Sequence, residues 1–372
     1  MRIAVVSTPV FRLGLSGLGG YGGLEQVAWE RARGLARKGH QVTLIAPDGS
    51  ECEGCQVVHC GPAGRISEKD AFSRYWECLL KQDCIIDDSW QKWSYNLKME
   101  GRLDKTPILG VCHAPIDTMF GMPNPKEPHK NPLWPGVKHL CMVCISEDHA
   151  NSFRYIHKRD VRVAYNGCSP EIYRPLGIPR KKRYLFLARF SIIKGPHLAI
   201  EACKKVGAGL DLIGDTTITN EPDCLKKCRM MADSEGALTS PDDIPEKAIH
   251  LWGGVSRAET IYFFNRSHAL LHPVRDFAEP FGLSPIEGML CGVPCISWKN
   301  GAMPETIREG VSGWLVTSEQ ELEDRIRDTY NDGISDQMRK DCRDWAAERF
   351  SLQKMVDRYV VLCEEAVKTG GW

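Results

Sequence analysis

The sequence has no uninterrupted apolar run of about 18 residues, so no membrane-spanning helix is expected. It also has no surplus of charge: 48 Lys and Arg balance 48 Asp and Glu, which argues against bulk electrostatic binding of nucleic acid. The opening residues, Met1 to Ser7 (MRIAVVS), lack the apolar core and cleavage site of a secretory leader and read as a short β-strand. A cytoplasmic protein is therefore expected, with the inner face of the membrane as the alternative location. Sixteen cysteines are present but without the spacing of a small secreted disulfide framework, so buried free thiols are expected. Neither an internal repeat nor a low-complexity tract is visible.

What is present is alternation. With 372 residues and 42% hydrophobic content, the chain is too long for one ordinary core, and two domains are expected. Ile3–Ser7 and Val42–Ala46 read as strands. Between them, Leu24, Val27, Ala28, Ala32 and Leu35 recur at helical spacing up to the stop at Gly39. Strand–helix–strand predicts a parallel sheet. The pattern restarts at Tyr184–Phe190 and continues through Pro196–Val206, Leu210–Ile213, Ile249–Trp252, Ala269–His272, a helix from Ser284, Val293–Ser297 and Gly313–Val316. Helices over about 319–330, 335–348 and 352–367 close it. Pro170, Pro175 and Pro179, with Gly167 and Gly177, mark a linker near 166–182. The expected division is 1–170, 171–350 and a final helix, 351–372, packing back toward the first domain. Doubly wound sheets bind ligands at the carboxyl ends of their strands, so any site should gather there.

Several motifs fall at such ends. Glu279 and Glu287 flank Pro280-Phe281-Gly282-Leu283-Ser284-Pro285-Ile286: two carboxylates around a turn and a helix start. Carboxylates accept hydrogen bonds from sugar hydroxyls, and an open helix N-terminus holds phosphate. Glu287 has a second reading, as the last residue of a capping box Ser284-Pro285-Ile286-Glu287 with proline at the first helical position. Arg189 and the pair Lys194-Gly195 bracket a strand–helix junction, where two cations suit a diphosphate. His113 follows the apolar run Ile108–Cys112. A glycine loop runs from Gly14 to Gly23; it contains a literal G-x-G-x-x-G at Gly17, Gly19 and Gly22, too far past the first strand for a dinucleotide fingerprint.

Together these segments resemble retaining glycosyltransferases of family 4, with the GT-B fold. The matching elements are the E-x7-E motif at Glu279 and Glu287, Gly22-Gly23-Leu24-Glu25, the R-x4-K-G pattern at Arg189, Lys194 and Gly195, and Cys144-Ile145-Ser146-Glu147. Leu251-Trp252-Gly253-Gly254-Val255-Ser256 is similar to the segment whose backbone meets the nucleotide base. Asn166-Gly167-Cys168-Ser169 departs from the family's N-G-V-D, which leaves that position's role open. Residues 50–105 and 217–247 carry no motif of the family.

The resemblance implies an α/β protein of two Rossmann-like, doubly wound parallel-sheet domains facing across a cleft, the first binding acceptor and the second donor. It implies transfer of a hexosyl group from a nucleotide diphosphate sugar to an acceptor hydroxyl, with retention and without a metal; no D-x-D motif of the metal-dependent type is present. Arg189, Lys194 and backbone amides near Phe281, Gly282 and Leu283 would stabilise the departing diphosphate. Glu287 would hold the ribose, Glu279 the transferred sugar and His113 a sugar hydroxyl, while Gly22, Gly23 and Val255 would line the donor. No cofactor is implied. The acceptor is a saccharide, a lipid-linked sugar or a small molecule, and nucleic acid is not a partner. The basic, proline-rich segment 119–140 is expected to be a solvated loop, with contact to a membrane surface (peripheral membrane contact) or to an anionic acceptor as the alternative. An epimerase of the same fold and a silent nucleotide-sugar-binding protein are the competing readings; a phosphorylase is disfavoured by the lack of a pyridoxal-phosphate lysine signature. Cys52, Cys55, His59 and Cys60 are ligand types zinc accepts, but the second half of a zinc site is missing.

Overall fold

The computed structural model describes residues 1–14, 22–114, 138–216, 221–236 and 241–372. Two compact units emerge: Met1–Gly167 together with Leu352–Trp372, and Cys168–Ser351. In the first, β1 (Arg2–Val6), β2 (Gln41–Ala46), β3 (Cys55–His59), β4 (Cys84–Asp87), β5 (Ile108–Cys112), β6 (Cys141–Cys144) and β7 (Arg162–Val163) form one parallel sheet in the order β3-β2-β1-β4-β5-β6-β7. In the second, β8 (Arg183–Leu187), β9 (Gly209–Ile213), β10 (Ser234–Glu235), β11 (Ile249–Gly253), β12 (Leu270–His272), β13 (Cys295–Trp298) and β14 (Gly313–Val316) pair in parallel as β10-β11-β9-β8-β12-β13-β14. The central strands read as continuous apolar runs because helices cover both faces of such a sheet; every residue from Ile3 to Val6 is buried, as is every residue of β4, β5 and β8.

In each sheet the strand order reverses beside the first strand of the unit. The reversal lies between β1 and β4 in one and between β8 and β12 in the other. Connections on the two sides of that point run in opposite directions, which leaves a crevice at the carboxyl ends of the two strands. In the first unit Asp87 ends β4; in the second His272 ends β12.

Helix beginnings divide into two kinds. Ser67, Ser146, Ser256, Ser318 and Ser335 each accept the backbone N–H three residues on, sealing their helices with a side chain. The helices Gly23–Arg37, Pro196–Val206 and Leu283–Leu290 begin instead after Gly22, Gly195 and Gly282, with no side-chain cap. Their first N–H groups are left to other partners.

The helix Leu352–Thr369 belongs to the first unit, where it lies along Gly23–Arg37. Close approach requires a residue without a side chain: a Cβ on Gly34 would stand 2.3 Å from Cγ2 of Val356. Gly34→Ala is therefore expected to destabilise the protein, because overpacking of about 1–3 kcal/mol outweighs the helix-propensity gain of roughly 1 kcal/mol. Adding Val356→Ala removes the clash. The double variant should exceed the additive expectation by about 1 kcal/mol or more in denaturation experiments, and simple additivity would count against the contact.

Candidate functional site

In the second unit β8 stops at Leu187, two residues before Arg189, which lies in the following turn and not within the strand as the apolar pattern suggests. A single 3-10 turn, Ile192–Lys194, leads to Gly195, whose left-handed φ of 69° swings the chain into the helix Pro196–Val206. Any Cβ on Gly195 would fall 2.4 Å from the carbonyl oxygen of Pro273, just past β12. That close approach brings Lys194 to Glu279, with which it forms a hydrogen-bonded ion pair; both side chains are 12% exposed. The Lys194 ammonium also stands 4.8 Å from the centre of the Phe277 ring.

His272, at the end of β12, places Nε2 3.7 Å from the same carboxylate oxygen of Glu279 and Nδ1 3.3 Å from the Ser297 hydroxyl. Burial alone would favour protonation of Glu279. Lys194, His272 and, at longer range, Arg189 outweigh it and hold the carboxyl below its ordinary value. Burial pushes His272 down to about 4, so the ring is neutral near pH 7. His272 was not singled out in the sequence; its position at the end of an apolar strand (Leu270-Leu271-His272) is the signal that marks it.

The segment after Glu279 differs from the capping-box reading. The helix starts at Leu283, so Pro285 is its third residue, and no side chain caps it. Glu287 is the fifth residue, buried, and its Oε1 accepts the Tyr173 hydroxyl at 2.7 Å. Phe281 turns its ring into the interior, edge-on to Phe350 with centroids 5.7 Å apart, so only its backbone faces outward chemistry. Gly282 is the N-cap and Leu283 is half-buried. Val255 is also half-buried, between β11 and the helix Arg257–Arg266.

In the first unit His113 follows β5 directly, and its Nε2 lies 2.6 Å from Asp88 Oδ1. The other Asp88 oxygen pairs with Arg31 of the Gly23–Arg37 helix; both of those side chains are fully buried. Neither Asp88 nor Arg31 was identified in the sequence. Gly22 and Gly23 open the same helix, and Glu25 accepts a hydrogen bond from Thr8, tying the helix start to the end of β1. Residues 15–21 of the glycine loop and 119–137 of the basic segment lie outside the described residues.

The cysteine-rich segment does not assemble. Cys52 and Cys55 stand with their sulfurs 3.2 Å apart, whereas His59 meets the Pro47 carbonyl and Cys60 is buried. Among the described residues no three His, Cys, Asp or Glu side chains converge as metal ligands. Trp90 is exposed, its backbone N–H held by Glu68.

The low value at His272 has a direct consequence. As pH falls below the ordinary histidine value of 6.5, the unfolded chain takes up a proton that the folded ring accepts only near about 4. Stability is thus full above pH 6.5 and is lost down to about 4, by up to about 3 kcal/mol. Lys194 lowers the His272 value and Glu279 raises it, so Lys194→Met should move the ring's titration upward. NMR titration of the His272 ring reads both values, and an unchanged midpoint in Lys194→Met would refute the coupling.

Comparison with known proteins places this geometry. Residues 169–349 match the family described as glycosyl transferases group 1, and residues 21–172 match Glycosyltransferase Family 4. D-inositol 3-phosphate glycosyltransferase of Mycobacterium marinum is 27% identical over 193 residues, covering 47% of this chain and 38% of that protein. An uncharacterised 41.2 kDa protein of a cps region in Klebsiella pneumoniae is 31% identical over 120 residues, covering 32% of this chain and 33% of that one. The chain thus matches well under half the length of these relatives. Among solved structures, sucrose-phosphate synthase from Thermosynechococcus elongatus superposes with a TM-score of 0.76 at 17% identity, over 99% of this chain and 100% of that one. Anabaena HepE in complex with UDP-glucose gives 0.69 at 16%, over 99% and 100%. The catalytic domain of starch synthase IV from Arabidopsis thaliana, bound to ADP and acarbose, gives 0.73 at 15%, over 99% of each. At such identities the likeness is one of fold, which is GT-B. Two family matches that adjoin near residue 170 and together run from residue 21 to 349, on a chain with that fold, settle membership: the chain belongs to glycosyltransferase family 4.

Proposed function

We propose that this chain transfers a hexosyl group from a nucleotide diphosphate sugar to an acceptor hydroxyl, with retention at the anomeric carbon and without a metal ion. The observation that carries the reading is the ionised Glu279, held by Lys194 near Arg189, a few residues before an uncapped helix start at Leu283. A departing diphosphate gains negative charge as the glycosidic bond breaks. Lys194, Arg189 and the N–H groups at Gly282 and Leu283 supply positive charge that needs no reorganisation at that moment. In the free protein Glu279 neutralises Lys194. With donor bound, the ammonium is shared with phosphate, and the carboxylate accepts hydroxyls of the transferred sugar.

Glu287, oriented by the Tyr173 hydroxyl that donates to its Oε1, accepts the ribose hydroxyls when donor binds, and Val255 lines the base. The unit Cys168–Ser351 is thereby the donor-binding half; the first unit selects the acceptor, a saccharide, a lipid-linked sugar or a small molecule. His113 hydrogen-bonds a hydroxyl of the sugar, and Gly22 and Gly23 let the backbone approach the donor. The complexes of HepE with UDP-glucose and of starch synthase IV with ADP lend support by likeness of fold.

A panel of UDP-, GDP- and ADP-sugars, each with and without a mixture of acceptors, tests the reading by nucleotide release. One donor should turn over only when acceptor is present, and EDTA should not change the rate. Lys194→Met and Glu279→Gln should each lower kcat by about 100-fold or more. Release independent of acceptor would favour an epimerase or hydrolase. Tight donor binding without any turnover would favour a silent binding protein.

A further inference from the structure

Behind His113 the first unit holds two charged side chains, Arg31 and Asp88, to which the transfer reaction assigns no part. Tyr359, from the helix Leu352–Thr369, lies beneath the Arg31 guanidinium, 4.1 Å from ring centre to Cζ. Arg31 pairs with one oxygen of Asp88, and the other oxygen lies 2.6 Å from His113 Nε2. The Arg31 and Asp88 side chains are 0% exposed and that of His113 only 6%. An isolated pair at such depth stabilises poorly, because desolvation cancels much of the attraction. A buried pair that ends on a histidine at a strand's carboxyl end has a second use.

We propose that Asp88 and Arg31 are positioning residues that hold His113 in the tautomer protonated on Nε2, so that Nδ1 presents a lone pair and reads a substrate hydroxyl as its acceptor.

Counting protons fixes the tautomer. An ionised carboxylate can only accept hydrogen bonds. Burial opposes ionisation of Asp88, but Arg31 and His113 prevail and hold its carboxyl down at about 2. With Oδ2 taken by Arg31, Oδ1 must receive its hydrogen from Nε2. Burial, with Arg31 and Lys92 nearby, lowers His113 below the ordinary histidine value even though Asp88 pulls the other way. The ring is therefore neutral near pH 7 and carries its single proton on Nε2. Nδ1 is then unprotonated, and no described residue hydrogen-bonds it. Without Asp88 nothing pins the proton on Nε2, and any ring protonated on Nδ1 would present a donor in place of the acceptor.

This proposal rests on the transfer reading for its substrate, but its tautomer can be read without any substrate. Two-bond 1H–15N correlation spectra of the full chain at pH 7 should show His113 protonated on Nε2; a spectrum showing protonated Nδ1 would overturn the proposal. Asp88→Asn offers Nε2 an amide N–H and should invert the pattern, with kcat falling at least about 100-fold and donor KM changing less than about threefold. Arg31→Met removes a charge that lowers His113, so the acid limb of the kcat/KM profile should move to higher pH. Among the described residues the charged and titratable groups facing that ring are Asp88, Arg31, Lys92 and His149, and Lys92 and His149 are unchanged in both variants. Folded variants whose spectra and pH profiles match the wild type would reduce the chain to a structural role and sink the proposal. If both variants fail to fold, the wild-type spectrum still decides the tautomer. Failure of the transfer reading shows differently, as no donor turnover with the Nε2–H signal intact.

Discussion

Glu279 is buried and charged, conditions that exclude each other unless a cation is fixed beside it. Lys194 meets that need, and much of the second unit is arranged so that it can. The left-handed turn at Gly195 sets the lysine against the chain leaving β12, and Asn300 holds that chain by donating to the carbonyls of Arg275 and Phe277 at 2.7 and 3.1 Å. Ala302 donates its N–H to the Glu279 carbonyl at 2.9 Å. Removing one partner of such a pair strands the other in a poorly solvated place, a loss of several kcal/mol that far exceeds what a surface ion pair supplies. The carboxylate is thus charged already in the free protein.

The same logic, in a drier setting, recurs in the first unit. Asp88 is ionised because Arg31 is beside it, and Arg31 is tolerated because it is covered by the face of Tyr359. Both charge clusters gather at the carboxyl end of a sheet, close to where strand order reverses. Side chains on neighbouring helices can converge there without interrupting the ladder of hydrogen bonds.

Much of this was legible in the amino-acid order. The alternation of apolar runs with helical stripes predicts two parallel sheets, and the spacing of Glu279, Glu287, Arg189 and Lys194 points to the family. Less visible were features that depend on contacts between distant segments. Asp88 sits in Ile85-Ile86-Asp87-Asp88, a strand end inside a region without a recognised motif, and only the fold shows that Arg31 lies 57 residues away in sequence yet in contact. Tyr173 gives no local sign that it donates to Glu287. The helix before Glu287 was misread for a physical reason: Ser284 and Pro285 have the types favoured at a helix start, yet Gly282 turns the chain two residues earlier and makes them part of the first turn.

The first unit is discontinuous: its chain leaves at Gly167 and returns only at Leu352. Near that crossing Cys168 donates its N–H to the Phe350 carbonyl at 3.0 Å, so the inserted unit closes on its own ends. During synthesis the inserted unit is complete while the first still lacks its last helix. Domains fold largely as they emerge, so Arg31 waits through the making of about half the chain for the ring of Tyr359. Until then the Arg31 guanidinium lacks the ring that covers it, so the final helix completes the burial of a charge as well as the packing of a sheet.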